Sequence, residues 1–299
     1  MHFSKTLTAA AIAVATLASP LIEASPLPRD LGDSAIDAHA PSARRRSSGW
    51  NDWNCKPSND HPRALVLVHG FMGNGINNWL YMAPRFVAKG YCVFSLTYGQ
   101  LNDIPFNGGL DKMENSAQQL SDYVDRVLAA TNTTQVDMFG HSEGSLMPRY
   151  YLRFLNGGPK VHKFAAIGSI VSGTTLKLLP DSLGLSAPAK KVFEKYCRSC
   201  SDFNPHSDFI KNLNDGGDTV PGVQYLMIAS KFDEIVIPYT NGFLKDENPN
   251  VRNQVLQDWC SRDVSPHLLQ AFSPVVFNGV HAFFTPSANQ KITCADMHH

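Results

Sequence analysis

Five residues carry the strongest chemical signal in the 299-residue chain: Gly140-His141-Ser142-Glu143-Gly144. A serine hydroxyl is a weak nucleophile at neutral pH. It attacks a carbonyl only when a base takes its proton and an acid orients that base. Glycines two before and two after the serine let a strand and a helix close around it while it sits in a strained conformation. The pattern points to attack on an acyl carbon. Against it stands the plain reading of a Gly-rich turn with an idle serine.

The acid and the base should follow such a serine in the order Asp or Glu, then His. Asp233 comes directly after an apolar strand pattern at Val223–Ser230, with Glu234 as neighbour and runner-up. Asp208, Asp215 and Asp218 precede that strand and read as loop or surface residues. Of eleven histidines, His2 and His39 fall in the leader, and His298 and His299 are terminal. His61, His162 and His206 lack a strand-end position, and His69 and His141 read as residues whose backbone matters more than their rings. His267, in the loop after the last strand pattern, is preferred over His281, which lies within the apolar helical run Val275–Phe284. An oxyanion formed on attack needs two preorganised donors. The expected pair is the N–H of Glu143 and the N–H of Phe71, in the Gly-rich loop after the first strand.

These residues need elements that bring them together. Ala64–His69 and Tyr91–Thr97 read as strands, with a helical pattern at Leu80–Lys89 between them. Met113–Ala130 is the clearest helix, and Gln135–Phe139 leads into the Ser142 turn. The helix after the turn carries Pro148, which predicts a kink or an irregular first turn. Phe164–Val171, Val223–Ser230 and Val251–Gln257 complete the strand patterns. Alternating strands and helices predict an α/β fold, a mostly parallel sheet with helices on both faces. Sites in such sheets lie at the carboxyl ends of strands, which puts Ser142 and the His69-Gly70 loop on one edge. Residues 174–222 break the alternation with Leu176, Leu178, Leu179, Leu183 and Leu185 and a short helix near Lys190–Tyr196. A segment this long is either a partial cap lining an acyl pocket or ordinary packing onto the sheet.

Hydrophobic residues make up 43% of the chain and charged residues 17%, a core-forming composition. Lys plus Arg equals Asp plus Glu at 26 each, so no imbalance points to nucleic acid or an acidic membrane. Nothing asks for a cofactor or a metal ion, and the expected state is a monomer without a transmembrane segment. Residues 1–24 read as a secretory signal peptide, cleaved after Ala18 or Ala24. Residues 25–46 read as a flexible pro-segment ending at Arg44-Arg45-Arg46, which leaves 47–299 as the catalytic domain.

Secretion into an oxidising compartment makes six cysteines suggest three disulfides. Cys197 and Cys200 form a local clasp. Cys55, before one strand, meets Cys92, inside the next. Cys260 and Cys294 remain to tie down the C-terminal tail. Asn132-Thr133-Thr134, between a helix and a strand, is a glycosylation sequon.

Taken together, His69-Gly70-Phe71, Asn78-Trp79, Gly90 to Phe94, Tyr98-Gly99, Gly140 to Gly144 and Met147 to Tyr151 resemble the class 2 lipases over residues 50–295. These are secreted microbial triacylglycerol lipases and esterases. The resemblance implies an α/β-hydrolase fold, a lipid ester substrate met at a lipid–water interface, and no cofactor. It implies Asp233 as acid and His267 as base, and the same three cysteine pairs. The expected activity is carboxylic-ester hydrolysis through an acyl-enzyme. The alternatives are an acyltransferase on the same scaffold and a non-catalytic lipid-binding protein.

Overall fold

A computed structural model describes residues 50–174, 186, 191, 195–285 and 291–298. The expected signal peptide and pro-segment, the cap leucines 176–185 and most of the expected helix at 190–196 lie outside the described residues.

The elements run β1 (Ala64–Val68), α1 (Met82–Ala88), β2 (Val93–Ser95), α2 (Met113–Thr131), β3 (Val136–His141) and α3 (Glu143–Phe154), then β4 (Val161–Ile167), α4 (Asp208–Asn214), β5 (Gln224–Ala229), β6 (Val251–Val255), α5 (Leu256–Trp259) and α6 (Pro274–Phe284). Six parallel strands form one sheet in the order β2-β1-β3-β4-β5-β6. β3 therefore lies inside the sheet, and the turn that follows it opens at the middle of the carboxyl edge.

Alternation along the strands sorts the core into two layers. Val66, Met138, Phe164 and Met227 pack on one face against Leu120 and Val124 of α2 and Leu146 and Tyr151 of α3. Leu65, Leu67, Phe139 and Leu226 pack on the other against Phe86 of α1 and Val276 and Val280 of α6. Each such side chain contributes about 1.5–3 kcal/mol by leaving water. Both sides of the edge that carries Ser142 are thereby held rigid.

The strands end earlier than the apolar runs suggest. β2 covers only Val93–Ser95, and Cys92 stands just ahead of it, accepting from the Leu65 N–H at 2.8 Å. β4 begins at Val161 and stops at Ile167, because Gly168 turns to φ +53°. Ile170 and Val171 are buried without being in the sheet. β6 yields to α5 at Leu256. Helix α3 runs from Glu143 through Pro148 to Phe154 as one helix rather than ending at the proline. The carbonyl that loses its donor there is that of Gly144, and it packs directly on Gly140.

Three disulfides join Cys55 to Cys92, Cys197 to Cys200 and Cys260 to Cys294, with Cα separations of 5.7, 5.4 and 4.5 Å. Asn132, in the left-handed conformation, ends α2 and is exposed. Among the described residues, no helix is long and apolar enough to cross a membrane.

Candidate active site

Ser142 stands between the last residue of β3 and the first of α3 with φ 55° and ψ −117°. A side chain pays a steric penalty in that region, so the surroundings must impose it. They do so by close packing. A Cβ on Gly140 would lie 1.9 Å from the Gly144 carbonyl oxygen, and one on Gly144 would lie 2.0 Å from that of Val68. Ser142 N–H also donates to the Ile167 carbonyl at 3.0 Å, tying the turn to the end of β4.

Asp233, His267 and Ser142 meet here from three separate segments. His267 Nδ1 lies 2.8 and 3.0 Å from the two carboxyl oxygens of Asp233, and Nε2 lies 2.8 Å from Ser142 Oγ. A carboxylate only accepts, so Nδ1 carries the hydrogen and Nε2 is left bare to accept from the serine hydroxyl. All three side chains are buried. Burial pushes the Asp233 carboxyl up, but the hydrogen bond and charge of His267 and the N–H groups of Val236 and Ile235 outweigh it. The carboxyl is held below its ordinary range. Asp233 stays an anion, the state that orients an imidazole and stabilises its cation.

Neighbours lock the geometry. Gln270 Nε2 donates to Asp233 Oδ2 at 2.8 Å, while its Oε1 accepts from Gly168 N–H at 3.1 Å. Gly168 presses on the imidazole so closely that a Cβ there would sit 2.9 Å from His267 Cε1. Glu234 accepts from the His267 N–H at 2.9 Å. The runner-up carboxylate thus holds the backbone of the base rather than its ring.

The rings of His69 and His141, expected to be incidental, are both engaged. The Tyr98 N–H donates to His69 Nε2 at 3.3 Å, so Nδ1 carries the hydrogen and donates to the Gly70 carbonyl at 2.8 Å. Gly73 N–H donates to that same oxygen at 2.9 Å. In a trans peptide the carbonyl and the next N–H point opposite ways. Pinning the Gly70 carbonyl therefore aims the Phe71 N–H away from it, and that N–H has no partner among the described residues. The Glu143 N–H, first in α3, has no carbonyl one turn back. Gly70 packs on Ser142, with a Cβ there reaching the Ser142 Cβ at 3.0 Å, so the two donors border the serine.

His281, the less favoured base candidate, sits elsewhere. It is hydrogen-bonded to Tyr91 OH at 3.0 Å, and burial, then Lys89 and His61, lower its pKa to about 4. Sequence reasoning missed Gln270, Gly168 and the rings of His69 and His141, and met Asn78 only within the family resemblance. Gly168 falls inside the expected strand Phe164–Val171, so nothing local marked its part.

A parallel sheet with an interior strand feeding a serine turn, and an acid and a histidine beyond later strands, defines an α/β-hydrolase. Residues 62–275 match the class 2 lipases, and the chain belongs to that family. Triacylglycerol lipases of Pseudarthrobacter phenanthrenivorans and Burkholderia plantarii are each 34% identical over 93 residues, which cover 29% of this chain and 27% and 24% of theirs. The chain thus matches about a quarter of the length of these curated relatives. Lipase B of Aspergillus fumigatus aligns with a TM-score of 0.57 and 20% identity over 72% of this chain and 50% of its own. The mature Bacillus licheniformis lipase BlEst2 aligns with a TM-score of 0.52 and 16% identity over 79% of this chain and 94% of its own. At these identities the likeness is one of fold.

Proposed function

We propose that the protein is a secreted serine carboxylic-ester hydrolase that cleaves acylglycerols or other lipid esters through an acyl-enzyme. The observation that carries this reading is the unbroken chain of hydrogen bonds from Asp233 through His267 to Ser142 Oγ, next to two unpaired N–H groups. His267 Nε2 takes the hydroxyl proton as Ser142 Oγ bonds to the ester carbonyl carbon. The N–H groups of Phe71 and Glu143 receive the oxyanion. The imidazolium, held by Asp233, then gives its proton to the departing alcohol. Water repeats the sequence to free the acid.

A lipid–water interface as the place of work is supported by the rim of the site. Residues 71–81, 104–110, 235–244 and 264–285 contain no Asp, Glu, Lys or Arg. They expose Met72, Ile76, Leu80, Phe106, Ile237, Leu268 and Phe272. Three of these pieces adjoin: Asn74 Nδ2 donates to the Phe106 carbonyl at 3.1 Å, and the rings of Tyr81 and Phe272 are 6.3 Å apart. A rim that is mostly apolar, with Glu234 as an exposed charge beside His267, suits neutral lipid. Export past residues 1–24 and a glycan on the exposed Asn132 belong to the same reading, and a mass shift on glycosidase treatment tests the glycan.

The decisive experiment follows p-nitrophenyl esters from short to long acyl chains, then emulsified triacylglycerol, with the mature chain and its Ser142→Ala variant. Hydrolysis that Ser142→Ala abolishes is expected. Undiminished turnover in the variant would remove Ser142 from the role of nucleophile.

A further inference from the structure

Glu143 follows Ser142 and is fully buried, yet neither carboxyl oxygen has a hydrogen-bond partner among the described residues. It is the first residue of α3, where the helix dipole favours an anion. That preference is small beside the penalty for burying an unpaired carboxylate. Burial first, then the negative charge of Asp202, hold the group well above the ordinary carboxylate range. The groups facing it do not offset this. Tyr98, from the loop after β2, is fully buried and itself pushed up by burial and by Glu143. Asp202, beyond the Cys197–Cys200 clasp, is raised to about 6 by burial, against the pull of the Met113 N–H, with Glu114 raising it further and Lys112 lowering it. His69, stacked on Tyr98 at the end of β1, is lowered to about 4 by burial. The His267 imidazole engages Ser142 instead.

What Glu143 touches gives the buried acid a use. Its Oε2 rests against Gly109, where a Cβ would lie 2.3 Å from that oxygen and 3.1 Å from Phe71 Cα. The turn is stitched to the loop bearing Phe71, since Met72 N–H donates to the Gly108 carbonyl at 3.0 Å and Gly108 N–H to the Gly73 carbonyl at 2.7 Å. We propose that Glu143 is a positioning residue whose buried, unpartnered carboxyl supports the Gly108-Gly109 turn beneath Phe71, and that ionising it disables the oxyanion donors. A carboxylate in that slot needs water, which the packed turn denies it, so the turn and Phe71 move apart. It also sets a negative charge beside an oxyanion of the same sign. The proton leaves to solvent hydroxide, and no other bond changes. The inference rests on the acyl-transfer reading of Ser142.

Two measurements on the full chain test it. The infrared spectrum at neutral pH should contain the carbonyl stretch of a neutral carboxylic acid that Glu143→Gln removes. On a soluble p-nitrophenyl ester, native kcat should fall by about tenfold or more on the alkaline side with KM little changed. Glu143→Gln should lack that fall, and so should Glu143→Met, which keeps the length without the polar group. An absent infrared band, or the same alkaline fall in both variants, overturns the inference while leaving the nucleophile assignment intact. A native protein that shows the band but never hydrolyses esters overturns the positioning role together with the acyl-transfer reading.

Discussion

His141 Nε2 donates to the backbone carbonyl of His267 at 3.1 Å, so the residue before Ser142 holds the chain that carries His267. Asn78 Oδ1, which accepts from the Gly70 N–H at 3.1 Å, lies 3.0 Å from the other ring nitrogen, but that nitrogen carries no hydrogen in the neutral ring, so the contact is packing and not a hydrogen bond. One imidazole thus sits between the base segment and the oxyanion loop. Burial, then the neighbouring His267, lower its pKa to about 3.

Replacing this ring should loosen both sides at once. His141→Ala should lower kcat by about 10–100-fold through misplacement alone, with KM little changed. The unfolded ring takes up a proton below about pH 6.5, while the folded ring does so only near 3. The native protein therefore loses stability as pH falls through that window, and His141→Gln, lacking the titration, should lose less. Urea midpoints at several pH values check this. Equal acid sensitivity in both proteins would contradict it.

The two surviving histidine candidates separate cleanly. His267→Ala should lower kcat by about 10³-fold or more, and His281→Ala, remote from Ser142, should leave kcat within a few-fold. The reverse ranking of the variants would reassign the base.

Asp233→Asn keeps the shape but offers His267 Nδ1 no anion. A loss of about 10⁴-fold in kcat is expected. Gln270→Ala removes only one donor to the carboxylate and should cost about tenfold. Single-turnover rates with both variants test the order; a larger loss from Gln270→Ala would mean the glutamine does more than hold the acid.

Gly168→Ala places a methyl against the His267 ring at a φ of +53°. Strain and overpacking together should lower stability by about 1–3 kcal/mol and displace the imidazole, reducing kcat. A thermal midpoint and rate both equal to the native values would show that the ring has slack.

The mostly apolar rim predicts binding to lipid that salt does little to weaken. Flotation of the Ser142→Ala protein with phosphatidylcholine vesicles should show association that survives raised ionic strength, and Ile76→Ser with Phe106→Ser should diminish it. Association only with anionic vesicles, lost in salt, would refute a neutral docking surface.

Much of this site was legible because its markers are local. The Gly140–Gly144 turn and the acid after β5 each announce themselves within a few residues of a strand end, and the histidine lies in the stretch after β6. Strand ends were misjudged where a burial signal outlasted the sheet, as at Ile170 and Val171, which pack below a loop. The supporting contacts had no local marker. Gln270 meets an aspartate 37 residues away, and His141 meets a carbonyl 126 residues away. Glu143 shows the opposite failure: an acidic residue at a helix start reads as solvated, and only the packed turn of Gly109 reveals a buried acid.

The reacting groups are divided along the chain. Phe71, Ser142 and Glu143 belong to the first half, while Asp233, His267 and Gln270 arrive with the last third. A chain emerging from the ribosome can thus form the serine turn and its donors long before it owns a base. On the proposed triad, the nascent protein is chemically silent by its order of synthesis, and hydrolysis begins only when the segment beyond β6 docks against the sheet edge.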